Sequence, residues 1–547
     1  MVDDRADPTD TTEAAPAPAP DTAADEPPAA PEPVADAPIE VELKLLADRG
    51  RVKSFLDAPA IRAAARNKGV VRRMEATYFD TPDNALEEAG YTLRVRRRGR
   101  SCHMTVKSSG PVDGNALARR EWEVAVDGMV PDLARLAELP EAVTDAAASG
   151  PLAPLYTTAV RRHTMMLDLP DATVELAADE GTIAAGGRTV PIDEIELELK
   201  DGEPAALYRL ALALCDHGRL DPSPRSKSAR GVDLMRDVPP SYAKAGKLGL
   251  SSSITLDEAI NAITRAALAH LLDNKAAAED GRHPEGVHQV RVSLRRLRAL
   301  LKMLAAHTRS YELERLRQEA KWLASSLDDA RNWDVFLSET LPMVEAAVAS
   351  GVDFAPLRAA AEAERAAAYE GVRAALGDPR SGRFQLELAL WIEERGWRSA
   401  VDAEGLAQLS GRARDFADIV LGKLHKKVLK RGRGFAGLDA EHRHRVRLAM
   451  KSLRYMADFF LPLFGSGRRV TAYGKFLSRF QDQLGHLNDV RTTDTLVAAL
   501  EARHGAEAFA KPVGAILGFQ AHRMVSSEGD LVEAWRAFKD AGRLWKH

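Results

Sequence analysis

From residue 39 onward the chain alternates. Ile39, Val41, Leu43 and Leu45 fall on one side of an extended segment, and Glu40, Glu42 and Lys44 fall on the other. The same period of two recurs in 91–98 (YTLRVRRR), 101–107 (SCHMTVK), 119–126 (RREWEVAV), 157–169, 172–177 (ATVELA) and 192–199 (IDEIELEL), with turn clusters at 110–114 and 186–187. Segments 51–66 and 204–217 read as helices. Many short antiparallel strands with densely charged polar faces predict a barrel closed around a charged interior. Residues 239–254 form a linker of Pro, Gly and Ser; Thr255 with Glu258 then makes a capping box, and helical periodicity runs from 255 to 547. The expected architecture is therefore α+β and multidomain, with a β barrel at 39–238 and an all-α helical-bundle domain at 255–547.

The helical half repeats itself. Residues 287–298 read VHQVRVSLRRLR and residues 443–454 read RHRVRLAMKSLR, so His288, Arg291, Arg295 and Arg298 correspond to His444, Arg447, Lys451 and Arg454. Downstream, SLDDARNWDV at 326–335 echoes QLGHLNDVRT at 483–492 at nearly the same offset. An internal twofold repeat of related bundles follows.

Composition changes this picture in one respect. The formal net charge is −4 over 547 residues, yet residues 1–38 carry ten acids against Arg5 alone, leaving the remainder positive. That Ala/Pro-rich acidic segment has almost no large apolar side chain and is expected to be disordered. The clustered positive charge elsewhere points to anionic partners. Two cysteines, Cys102 and Cys215, exclude a disulfide framework and suit a reducing cytoplasm. No apolar run long enough to span a membrane exists, and the N-terminus lacks a secretory h-region.

The charges in the barrel segments come in like pairs at i, i+2. Arg94 and Arg96 share one face with Lys107 on the next segment; Arg119, Glu121 and Glu123 follow, then Arg161 or Arg162, then Glu175 with Asp179, then Glu194, Glu196 and Glu198. Like charges stacked on one strand face repel unless something of opposite sign lies between them. Acids suit divalent metal ions and bases suit phosphates. In the helical half, His288, Arg291, Arg295, Arg298 and Lys302 follow 3, 4, 3, 4 spacing beside an apolar stripe. Residues 423–454 hold eleven Lys/Arg against Asp439 and Glu441. RNA, DNA or polyphosphate would neutralise these faces; the scarcity of interleaved aromatics favours a sequence-blind reader of phosphates and disfavours nucleic acid.

Taken together, Glu40-Val41-Glu42-Leu43-Lys44 (ExExK), Tyr78-Phe79-Asp80-Thr81-Pro82, Leu93-Arg94-Val95-Arg96, Thr105-Val106-Lys107, Arg119-x-Glu121-Trp122-Glu123, Glu194-Ile195-Glu196-Leu197-Glu198 and Ser226-Lys227-Ser228-Ala229-Arg230-Gly231 resemble the CYTH family of triphosphate tunnel metalloenzymes. The resemblance implies an eight-stranded antiparallel tunnel acting on triphosphates with Mg2+ or Mn2+. It implies that Lys44, Arg94, Arg96, Lys107, Arg119, Arg161 and Lys227 bind substrate, that Glu40, Glu42, Glu196 and Glu198 hold metal, and that Glu40, Glu42 and Lys44 form the catalytic motif. Glu121, Glu123, Glu175 and Asp179 would support them. Strand parity leaves Arg161 and Arg162 open as alternatives, because one bulge exchanges them.

The repeated H-x-x-R-x-x-x-[RK]-x-x-R pattern resembles the CHAD domain, with Ser452 where Arg296 stands in the first copy. This implies polyphosphate binding through His288, Arg291, Arg295, Arg298, Lys302, His444, Arg447, Lys451 and Arg454. The combined expectation is a cytoplasmic, metal-dependent triphosphatase of inorganic triphosphate or a related short or organic triphosphate, associated through its helical domain with polyphosphate and its granules. The competing readings are a non-catalytic polyphosphate-targeting protein, an adenylate cyclase and a thiamine triphosphatase.

Overall fold

The computed structural model describes residues 39–108, 118–135, 139–306, 308, 310–348, 351–399, 401–465 and 467–542. The acidic segment 1–38 and the turn cluster at 110–114 lie outside the described residues. Among the described residues, nine strands form one antiparallel sheet: β1 (Ile39–Ala47), β2 (Val70–Asp80), β3 (Tyr91–Arg98), β4 (Ser101–Ser108), β5 (Ala118–Val126), β6 (Ala153–Leu169), β7 (Ala172–Ala185), β8 (Arg188–Gly202) and β9 (Leu220–Pro222). Their order is β5-β4-β3-β2-β6-β7-β8-β1-β9. β1 gives one edge to β8 and divides the other between β5, at Ile39–Val41, and β9, at Leu45–Ala47. The eight expected strands therefore meet end to end only through the short β1–β5 pairing, and a ninth strand takes the rest of that edge.

Alternation decides which way the strands face. Leu43, Leu45, Leu167, Val174, Leu176, Ile195 and Leu197 point outward and are buried under helix α1 (Ala205–Leu214). Leu93, Val95, Met104 and Val106 do the same beneath Val143 of the helix Glu141–Ala148. The charged residues of these strands consequently face inward, which inverts the usual polarity of a small barrel. Toward the β7–β8 hairpin the enclosed side chains become apolar: Ala76, Tyr78, Tyr156, Val160, Ile183 and Ile192 pack with Val232, Leu234 and Met235 of α2 (Lys227–Arg236). β2 is absent from the expected strands because its first half, Val70–Arg73, is exposed on both faces and so carries no alternation.

The helical half contains α3 (Leu256–Asp280), α4 (Glu285–Leu304), α5 (Pro379–Glu393), α6 (Ala413–Arg431), α7 (Ala440–Phe460) and α8 (Arg468–His504), among other helices. Thr255 and Glu258 form the capping box that starts α3. α4 and α7, the equivalent helices of the repeat, share one large core cluster. The segment 239–254 is pinned to α3, since Ala243 N donates to Asn274 Oδ1 at 2.9 Å and Asn274 Nδ2 returns a bond to Ala243 O at 3.0 Å.

Candidate active site and anion-binding face

Register places the predicted residues opposite one another. Glu42 faces Glu198 and Lys44 faces Glu196 across β1–β8; Arg94 faces Thr105 across β3–β4; Lys107 faces Glu121 across β4–β5. At one side of the interior, Lys107 Nζ donates to Glu40 Oε2 at 2.6 Å and to Glu121 Oε2 at 2.9 Å, and lies 3.5 Å from Glu42 Oε1. Lys44 pairs with Glu42 and lies 3.7 Å from Glu196. Burial pushes the Glu40 carboxyl up to about 7, against the pull of Lys107 and helped by its hydrogen bond with Glu121. Burial also raises Glu121, but Arg94 and Lys107 outweigh it and hold that carboxyl down at about 2.

Deeper in, Lys227 Nζ lies 2.8 Å from Asp179 Oδ2 and 2.9 Å from Glu196 Oε1, and also pairs with Glu194. Arg162 forks onto Asp179 and reaches Glu196, while Arg230 Nη2 donates to Glu194 Oε2 at 2.9 Å. Burial favours a neutral Glu196, yet Lys227, Arg162 and Lys44 keep it well below the ordinary carboxylate range. Asp179, Glu194 and Glu196 each offer one oxygen within 4.8 Å of the others, and among the described residues they form the group of acids spaced to hold a metal ion. Three hard oxygen donors suit Mg2+ or Mn2+. Of the four expected metal ligands only Glu196 belongs to this group. All of these acids carry cationic partners: Lys227 sits among Asp179, Glu194 and Glu196, Glu40 and Glu42 pair with Lys107 and Lys44 on the other side, and Glu198 pairs with Lys200.

One further placement differs from expectation, and one falls outside the described residues. Arg161 faces outward beside Glu180 at 3.5 Å, and it is Arg162 that enters the tunnel. The parity follows the pairing of Arg162 with Arg72 and Asp179, which stays in unbroken register with the Tyr78–Tyr156 and Tyr78–Arg94 pairs. Arg119 pairs with Glu40 in register, but its side chain lies outside the described residues.

Arg96 is 8% exposed and makes no ion pair with a carboxylate among the described residues. Burial, with Arg94 and Arg162 nearby, lowers its guanidinium to about 9. A buried cation crowded by other cations is costly unless an anion joins it.

On α4, Arg291 Nη1 donates to Ala324 O at 2.8 Å and pairs with Asp328. Arg295 neighbours Tyr455 of α7, which brings the two basic stripes side by side. Arg298 is half-buried and Lys302 exposed. On α7, His444 is exposed, Arg447 and Lys451 are half-buried, and Arg454 lies 3.7 Å from Asp482. Burial and then Arg331 lower His288 to about 4, so it is a neutral member of its stripe. Arg296 is not part of the basic face: its guanidinium stacks on Phe459 at 5.3 Å. Ser452 at the equivalent position therefore removes nothing from the second stripe.

The chain matches the CYTH domain over residues 38–232 and the CHAD domain over residues 262–498. It is 30% identical over 156 residues to an inorganic triphosphatase of Haemophilus influenzae, a stretch that covers 28% of this chain and 44% of that relative. The match thus spans less than half the length of that relative. Among solved structures, the CHAD domain of the plant Ricinus communis is 29% identical, with 55% of this chain and 96% of that one covered and a TM-score of 0.48. A Hippeastrum protein described by its dominant triphosphatase activity is 19% identical, covering 36% of this chain and 96% of its own, with a TM-score of 0.26. PptA from Streptomyces chartreusis is 16% identical, covering 53% and 99%, with a TM-score of 0.36.

Proposed function

We propose that this chain, which carries a CYTH domain followed by a CHAD domain, is a phosphoanhydride hydrolase acting on inorganic triphosphate or a related short or organic triphosphate. The observation that carries this reading is Arg96, a buried guanidinium without a carboxylate partner among the described residues, set beside Arg94 and Arg162. A bound chain of phosphates supplies the missing negative charge and draws Lys44, Lys107 and Lys227 from their internal acids. The similarity to an inorganic triphosphatase supports the substrate class.

Glu40 is suited to proton transfer, because a carboxyl raised to about 7 is close to half-ionised at neutral pH and can accept a proton from an attacking water. Lys107 orients it. Asp179, Glu194 and Glu196 would hold a divalent ion, which when bound offsets the charge of phosphoryl oxygens. The acids separate this reading from a passive polyphosphate binder, which needs bases but gains nothing from buried carboxylates. The paired stripes on α4 and α7 serve as the polyphosphate-binding face and raise substrate concentration near the tunnel. Among the described residues the ring beside the tunnel bases is Tyr78, which is already stacked on Tyr156, and this disfavours it as a platform for adenine.

The test is phosphate release from triphosphate, ATP and thiamine triphosphate, each with magnesium, manganese or chelator. Metal-dependent release, fastest on inorganic triphosphate, is expected. No release from any of the three would sink the enzyme reading, and release untouched by chelator would sink the metal.

A further inference from the structure

The two halves meet at β9. Leu386 and Ala389 of α5 belong to the same buried cluster as Leu43, Leu45 and Leu210, so the helical half completes the outer core of the sheet. Gly382 of α5 approaches so closely that a Cβ there would sit 2.1 Å from the Leu220 carbonyl oxygen and 2.9 Å from Asp221 Oδ1. Only glycine admits that contact. Asp221 is 2% exposed, and its carboxylate meets Arg219 and, at 2.9 Å, Lys275 Nζ of α3, itself 8% exposed. The Lys275 approach is an ion pair without hydrogen-bond geometry.

What β9 carries gives this contact its meaning. Leu45 pairs with Pro222 and Leu46 with Asp221, and Ser223 N donates to the Lys44 carbonyl at 3.0 Å. Ser226 then caps α2 through a bond from Ala229 N, and the first residue of that helix is Lys227, whose ammonium enters the acid cluster. One short segment is thus gripped by the helical half at one end and delivers a substrate-binding lysine at the other.

We propose that Lys275 and Asp221 are positioning residues for the tunnel: the helical half clamps β9 and so sets the backbone at Lys44 and the start of α2 that presents Lys227. This rests on the tunnel being the triphosphate site proposed above. Neither residue touches substrate, and the helical half becomes part of the active-site frame as well as a binder of polyanions. A second close contact extends the frame, since Gly286 at the head of α4 lies against the Ala277 backbone of α3, two residues from Lys275.

The experiment uses the full chain with Lys275→Met, Asp221→Asn and Lys275→Arg, measuring steady-state kinetics on inorganic triphosphate, calorimetric triphosphate binding in chelator, and thermal unfolding. The first two variants should raise KM and weaken calorimetric affinity by about tenfold or more with kcat changed less than about threefold, because a misplaced Lys227 weakens binding before chemistry. Lys275→Arg, which keeps the charge, should recover most of the affinity. Folded Lys275→Met or Asp221→Asn with unchanged KM and affinity overturns the proposal, as does a loss in Lys275→Arg equal to that in Lys275→Met. Should Lys275→Met not fold, the isosteric Asp221→Asn decides. If the unsubstituted chain releases no phosphate, the hydrolase reading fails while the calorimetric comparison still decides this one.

Discussion

Arg162 grips Asp179 with two parallel hydrogen bonds, Nε to Oδ1 at 2.7 Å and Nη2 to Oδ2 at 2.6 Å, inside a tunnel where Asp179 has no exposed surface. That fork binds β6 to β7 at the depth where Lys227 arrives from α2. The pair is a structural tie within the proposed phosphate site, and the two roles can be separated by substitution.

Removing one partner of such a pair leaves a buried charge behind. Arg162→Gln should destabilise the protein by about 3–5 kcal/mol, whereas Arg161→Gln, on the exposed face, should stay within about 0.5 kcal/mol. Urea titration of the two variants checks this, and equal losses would contradict the assignment of Arg162 to the interior.

Arg96 should behave in the opposite way. Because it has no carboxylate partner among the described residues, Arg96→Met should leave stability unchanged or raise it by about 1 kcal/mol, while weakening triphosphate binding by about 2 kcal/mol, or roughly thirtyfold in KM. Paired thermal melts and kinetics measure both. A destabilised variant with normal KM would show that Arg96 is a structural residue.

Glu40 gives the pH dependence. Its folded value, about 7, lies above the ordinary carboxylate value of 4.5, so between these the folded state binds more protons than the unfolded one. The contribution of Glu40 to stability is therefore full below about 4.5 and is lost as pH rises through about 7. Glu40→Gln should remove that decline in a series of melts from pH 5 to 8. It should also abolish a rise in kcat/KM with a midpoint near 7; a pH–rate profile identical to that of the unsubstituted chain would remove Glu40 as the base.

The helical face can be tested by charge. Replacing Arg291, Arg295, Arg447 and Lys451 together by Ala should abolish polyphosphate retardation in gel shift, and the unsubstituted chain should lose affinity steeply with salt. Binding that survives the fourfold change would place the polyanion elsewhere.

Much of this was legible in the residues. Strict alternation in 39–45 and 192–199 is enough to put acids and apolar side chains on opposite faces, and the H-x-x-R spacing is enough to make a helical stripe. Arg162 was not legible, because Arg161 and Arg162 are adjacent bases and only the pairing of β6 with Arg72 of β2 and Asp179 of β7 decides which of them turns inward. The place of Arg296 was not legible either: it follows the stripe residue Arg295 in sequence, while its ring partner Phe459 lies far along the chain. The segment β9 is too short to carry any periodic signal.

By itself the sequence determined the two architectures, the inward charge of the strands and the paired basic helices, since these follow from local periodicity and from which residue types can share a face. Tertiary structure alone decided which acids come together. Asp179, Glu194 and Glu196 gather around Lys227 because β6, β7, β8 and α2 converge there, while Glu40 and Glu42 are claimed by Lys107 and Lys44. It also decided that the helical half grips β9 at Asp221, a contact between residues far apart in sequence whose burial no local pattern encodes.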